Sequence, residues 1–168
     1  MYYRNDLSFE YVNDLLTYDP ETGVFRWKRA RGYTFKAGSL AGYKHNGYWW
    51  IQTGGKRYAA HRLAWLLMTG EWPEEQIDHR DMNRGNNCWN NLRAATRSQN
   101  NANRGRVPGA PLKGVTRSPR CVTKPWVAQI KPIGGKHRGL GYYATQEEAH
   151  EAYLKAAAEL FGEYHRGE

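Results

Sequence analysis

Turn-forming residues interrupt this chain before any periodic segment can grow long. Asp19-Pro-Glu-Thr-Gly23, Gly54-Gly55, Gly70 to Pro73, Asn83 to Asn90 and Arg104 to Lys113 all carry Gly, Pro, Asn or Asp in clusters. Such clusters end helices and strands. Between them stand short runs. Phe9, Val12, Leu15 and Leu16 recur at helical spacing, and His61 to Met68 is a compact amphipathic helix stopped at Gly70. Val24 to Trp27, Gly47 to Gln52, Lys56 to Tyr58 and Ile77 to His79 read as strands. Leu92 to about Asn103 reads as a helix. Gly114 to Thr116, Trp126 to Lys131 and Leu140 to Tyr143 are three more strands. Thr145-Gln-Glu-Glu148 is a capping box that opens a helix burying Ala149, Tyr153, Ala156 and Leu160. Short elements of both kinds, with strands clustered apart from helices, predict an α+β protein.

This punctuation divides the chain into four stretches. Residues 1–58 are a β-rich segment forming a small antiparallel sheet, expected to brace the neighbouring stretch or to touch a ligand directly. Residues 59–104 hold the helix, strand, Asn-rich loop and second helix. Residues 105–112 are a Pro/Gly/basic linker. Residues 113–168 form a three-stranded sheet plus one helix, a unit of marginal size to stand alone. The 7 Trp, 12 Tyr and 4 Phe can build these cores although the apolar fraction is only 40%. No apolar run approaches a membrane helix, and Met1-Tyr-Tyr-Arg-Asn-Asp lacks a signal-peptide core, so a cytoplasmic protein without membrane attachment is expected. Two cysteines, Cys88 and Cys121, exclude a disulfide scaffold and a four-cysteine zinc ribbon.

Charge narrows the function. The 25 Lys and Arg against 16 Asp and Glu leave a formal charge of +9. From Met82 to Gln146 there is no acid at all, while twelve basic residues fall in those 65 positions. Such a field, interleaved with aromatic and amide side chains, suits a polyphosphate, hence nucleic acid, better than a membrane surface.

The chemistry lies in Ile77-Asp-His-Arg-Asp-Met-Asn-Arg-Gly-Asn-Asn-Cys-Trp-Asn-Asn-Leu-Arg-Ala-Ala-Thr-Arg-Ser-Gln-Asn100. Phosphodiester hydrolysis needs an activated water and a cation on the departing oxygen. Asp78 and His79 offer a hard oxygen ligand and a base on adjacent residues. Neighbours in a strand face opposite ways, so the pair must stand at a strand end or a twist to share a site. If Leu92 onward is one helix, Arg93, Arg97, Asn100 and Arg104 fall on a single stripe suited to a phosphate backbone. Asn91 then caps that helix and ties the preceding loop. Asn101 or Asn103 replaces Asn100 as the ligand if the helix phase differs. Asp81 reads as a turn residue, Cys88 as packing, and His61 as a structural histidine with a rival claim on the site.

Asp78-His79, Asn91-Leu92-Arg93 and Asn100, with His61-Arg-Leu-Ala-Trp and Asn86-Asn87, resemble the ββα-metal motif of HNH nucleases in their phage and homing form, over about Tyr58 to Arg104. The resemblance implies that His79 is the general base, that Asp78 and Asn100 hold one divalent cation, and that Asn91 orients His79 through the loop. Asn as the third motif letter favours Mg²⁺ or Mn²⁺. Lys113-Gly-Val-Thr, Trp126 to Lys131, Leu140-Gly-Tyr-Tyr-Ala-Thr and Glu147 to Tyr153 resemble the Apetala-type (ethylene-response-factor) DNA-binding domain. That resemblance implies DNA contacts from Arg117, Arg120, Trp126, Gln129, Lys131 and Arg138. Gly139 stands where that family usually has Trp, and the first turn is longer, so base preference does not carry over. Together these imply an enzyme that cuts double-stranded DNA, as monomer or homodimer, in a phage-infected cell. A non-catalytic DNA-binding regulator and an RNA-binding protein are the rival readings.

Overall fold

A computed structural model of the chain describes residues 4–105, 109–119 and 121–165. The chain divides into two compact units, Met1–Ala94 and Ala95–Glu168. The expected α+β architecture is found in both.

The first unit begins with helix α1 (Phe9–Leu15), whose N-cap Ser8 accepts a hydrogen bond from the Tyr11 N–H at 3.2 Å. Strands β1 (Leu16–Tyr18) and β2 (Phe25–Trp27) pair antiparallel around the Asp19–Gly23 turn. Strands β3 (Tyr43–His45), β4 (Tyr48–Thr53) and β5 (Lys56–Ala59) form a meander. Asn46-Gly47 joins the first two with φ of 51° and 83°, the positive pair that a two-residue hairpin turn demands. Helix α2 (Ala60–Thr69) buries Ala60, Leu63, Ala64 and Leu66 among Val12, Leu16, Phe25, Ile51 and Tyr58. Each of these two leucines contributes roughly 1.5–3 kcal/mol by leaving water. On the same helix, buried Arg62 donates to the carbonyls of Pro73 at 2.8 Å and Glu75 at 3.1 Å. That draws the connector down and aims strand β6 (Gln76–His79), whose Ile77 enters the core.

The next element corrects an expectation. Leu92 to Asn103 is not one helix. Leu92–Ala95 is a strand, β7, hydrogen-bonded beside β6, and helix α3 covers only Arg97–Asn103. Thr96 decides the break. Its Oγ1 accepts from the Gln99 N–H at 3.3 Å while the Gln99 Oε1 accepts from the Thr96 N–H at 2.8 Å. This capping box starts the helix later than periodicity suggested, and pairing with β6 lets Leu92 and Ala95 bury. The stripe of Arg93, Arg97, Asn100 and Arg104 is therefore not formed, because Arg93 is on a strand. Nor does Asn91 cap a helix; it ends a single 3₁₀ turn, Trp89–Asn91.

In the second unit, strands β8 (Val115–Arg117), β9 (Trp126–Ile130) and β10 (Arg138–Tyr143) make an antiparallel sheet with β9 central. Helix α4 (Gln146–Phe161) opens with the Thr145–Glu148 capping box. Ala102 of α3 shares a core with Ile130, Tyr153, Ala156, Ala157 and Phe161. The Lys113 ammonium donates to the Ala102 carbonyl and, at 2.8 Å, to that of Arg104, fastening α3 to the start of the sheet.

Candidate active site

His79 is the last residue of β6. The alternation of a strand thus ends at the Asp78–His79 pair, and the chain turns immediately, with the Met82 N–H bonded to the His79 carbonyl at 2.9 Å. His79 is 5% exposed and Asp78 4%.

Three elements wall the imidazole. Its Nε2 lies 3.4 Å from the Asn87 Oδ1, at the edge of hydrogen-bond range. From α2, His61 meets it edge-on with ring centroids 5.2 Å apart, and from β4 the Tyr48 ring lies 6.2 Å away. Tyr48 also tilts against His61 at 5.5 Å and carries the Arg84 guanidinium over its face at 5.1 Å. Burial pushes the His79 pKa below the ordinary histidine value, against the pull of Asn87 and of the Asp81 and Asp78 carboxylates. Burial drives His61 further down, helped by His79 and Arg62. Both rings are neutral near pH 7, the state a base must start from.

The loop after His79 is held by its own side chains. The Asn91 amide accepts from the Asp81 N–H at 3.0 Å and donates to the Asp81 Oδ1 and the Asn86 carbonyl, each at 2.9 Å. The Asn86 amide donates to the Asp81 Oδ2 at 2.7 Å. Burial alone would raise the Asp81 pKa, but the bonds from Asn86, Asn91 and the Asn83 N–H outweigh it and hold the carboxyl below its usual range. Asp81 is thus the hub of the loop, a larger part than that of a solvated turn residue. The β1–β2 turn supports the same loop: the Tyr18 hydroxyl donates to the Asn87 carbonyl at 2.7 Å, and the Trp89 N–H to the Pro20 carbonyl at 2.8 Å.

Arg93 faces inward. Its Nε and Nη2 both lie 2.9 Å from the Asp78 Oδ2, and it is 6% exposed.

Residues 58–102 match the HNH endonuclease family. No curated protein and no solved structure matches the chain. The matched stretch begins at Tyr58 in β5 and takes in α2, β6, the Asn-rich loop, β7 and most of α3. It supports a nuclease, a hydrolase, as the enzyme class, and DNA as the molecule acted on. Among the described residues no helix is long and apolar enough to cross a membrane.

Among the described residues no cluster of three or more His, Cys, Asp or Glu side chains could cage a metal. Around His79 the oxygen donors of the matched stretch are the buried Asp78 carboxylate, the exposed Asp81 carboxylate already engaged by Asn86 and Asn91, and amide oxygens. Such a hard, sparse set fits Mg²⁺ or Mn²⁺, which take one or two carboxylates and fill the remaining positions with water and phosphate. Asn100, half-buried on α3, belongs to the second unit with exposed Arg97, exposed Arg104, exposed Asn101 and buried Asn103.

The remaining expected contacts divide by strand register. Trp126 lies with Ala128 on the side facing α4 and packs on Val115, Ala128 and Ala149. It therefore does not share the face that carries Gln129, a correction to the single contact face expected. Arg117 pairs with Trp126 and Arg138 with Ile130, and both are exposed at strand ends. Gln129 alternates to the open side with Thr116, Val127 and Tyr142, and exposed Lys131, two residues on, follows the end of β9. Arg120 lies outside the described residues.

Sequence reasoning assigned no role to Asn87 or Tyr48. Asn87 was visible within the Asn86-Asn87 pair; Tyr48, on a separate strand 31 residues before His79, carried no signal.

Proposed function

We propose that the chain is a divalent-metal-dependent HNH endonuclease of the homing type, cutting double-stranded DNA in a phage-infected cell. The observation that carries this reading is the family match falling on the strand, loop and strand that hold Asp78, His79 and Asn91. His79 is the general base: neutral and braced by Asn87, His61 and Tyr48, it takes a proton from the water that attacks phosphorus. Asn91 maintains the loop that keeps Asn87 beside it. Asp78 is a ligand of Mg²⁺ or Mn²⁺, and the resemblance adds Asn100 as the other. When bound, the ion stabilises the charge of the transition state and the departing 3′ oxygen. Arg97 and Arg104 contact phosphates.

The C-terminal sheet and helix act as an Apetala-type target-binding module, with Gln129 and Lys131 on its open face and Arg117 and Arg138 at its margins; the resemblance adds Arg120 as a contact. The unit's strand order and its helix support this reading.

Supercoiled plasmid incubated with Mg²⁺, with and without chelator, tests the proposal. Nicked or linear product under Mg²⁺ alone is the expected result. The buried Asp78–Arg93 ion pair favours a second reading, a DNA-binding regulator whose acidic ligand has become structural. A gel shift without cleavage under any divalent ion would establish it.

A further inference from the structure

We propose that Arg93 is a positioning residue for Asp78: a counter-cation built into the fold that fixes the carboxylate and keeps divalent-ion affinity low until DNA phosphate arrives. The inference rests on the nuclease reading, in which Asp78 is a metal ligand.

The geometry carries it. Two guanidinium nitrogens, Nε and Nη2, converge on one oxygen, Asp78 Oδ2, each at 2.9 Å. The pair joins neighbouring strands, β6 and β7, and neither residue exceeds 6% exposure. The planar fork of Arg fixes a carboxylate plane as a lysine ammonium cannot. One rotamer of Asp78 is thereby selected before any ligand binds. Leu92 and Ala95, both buried, hold the strand that delivers the guanidinium.

The charge balance then has a consequence. Carboxylate and guanidinium sum to zero, so a divalent ion approaching the free protein meets no net negative charge from this pair. A phosphodiester brings the missing negative charge with it. Ion and DNA therefore reinforce each other's binding, and the protein without DNA holds the ion weakly. Contact between Arg93 and a phosphate would require the guanidinium to leave Asp78, stranding a buried carboxylate.

The test is a Mn²⁺ titration of the full-length chain without DNA, read by the loss of free-ion paramagnetic resonance signal, alongside plasmid nicking and DNA affinity at several salt concentrations. Arg93→Met should bind Mn²⁺ about tenfold more tightly than the unaltered chain, because a nearby positive charge is gone. It should nick more slowly at saturating Mn²⁺, with unchanged DNA affinity and salt dependence. Asp78→Asn should lose Mn²⁺ binding. Where Arg93→Met does not fold, Arg93→Lys carries the test: slower nicking at unchanged Mn²⁺ and DNA affinity supports the clamp, and nicking at the unaltered rate overturns it. Arg93→Met that binds Mn²⁺ no more tightly, while Asp78→Asn loses binding, overturns the clamp alone. A salt slope reduced by about one phosphate contact would make Arg93 a DNA contact instead. Undiminished Mn²⁺ binding by Asp78→Asn would remove the ligand assignment and the clamp with it.

Discussion

At the scale of single residues, the unusual feature is a second histidine, wholly buried, against the first. A neutral histidine in the core makes the fold acid-sensitive. His61 has its pKa lowered by burial, whereas in the unfolded chain it titrates near 6.5. Below that pH the unfolded chain takes up a proton that the folded protein refuses, so stability falls as pH falls. The slope is about 1.4 kcal/mol per pH unit for one proton, between the unfolded value and the depressed folded one. Urea titrations between about pH 7 and 5 should show this loss, and His61→Phe, which keeps a ring in the cavity, should flatten it. An unchanged slope in that variant would mean His61 is charged in the fold. For His79, replacement by Ala should lower plasmid nicking by about 10²- to 10⁴-fold, the range for a general base, while gel-shift affinity stays within a few-fold. Cleavage at the unaltered rate would remove His79 as the base.

At the scale of elements, the site depends on segments distant in sequence. Gly23 has φ of 71°, and a Cβ there would stand 2.5 Å from the Asn87 carbonyl carbon and the Cys88 nitrogen. The β1–β2 turn therefore seats directly on the loop that presents Asn87 to His79. Gly23→Ala should destabilise the protein by about 1–3 kcal/mol, as overpacking does, and depress nicking more than DNA binding. Equal melting temperatures for variant and parent would show that the two segments separate freely. The capping box between β7 and α3 gives a second expectation. Thr96→Ala should cost about 1 kcal/mol in urea unfolding, since it frees a helix N–H and the restraint that ends the strand.

At the scale of the whole molecule, each compact unit owns part of the expected machinery. Asp78, His79 and Asn91 belong to the first, and Asn100, Arg97 and the three-stranded sheet to the second. Deleting the chain from Lys113 onward is a poor test of target choice, because Ala102 of α3 packs in the core with Tyr153 and Phe161 and would lose its neighbours. Substitutions on the open sheet face are cleaner. Gln129→Ala with Lys131→Ala should lower DNA affinity several-fold and broaden the cut-site distribution, leaving metal-dependent nicking of plasmid intact. An unchanged cut-site map would show that this face does not choose the target.

Local chemistry was legible where it is self-contained. The helix cap at Thr145, the stop at Gly70 and the Gly54-Gly55 hairpin arise from residues that interact within a few positions of one another. The α+β class and the Asp78–His79 pair at a strand end were readable for the same reason. Leu92–Ala95 was not, because four residues satisfy a helical pattern and a strand pattern equally; the Thr96–Gln99 box was the overlooked local signal, as Asn46-Gly47 was for β3. Charge alone points Arg93 to solvent and a phosphate. Its inward direction, the His61–His79–Tyr48 contact and the seating of Gly23 against Asn87 arise only when segments tens of residues apart share one core. Burial, which fixes those side chains and keeps the two histidines neutral, is a property of the assembled fold.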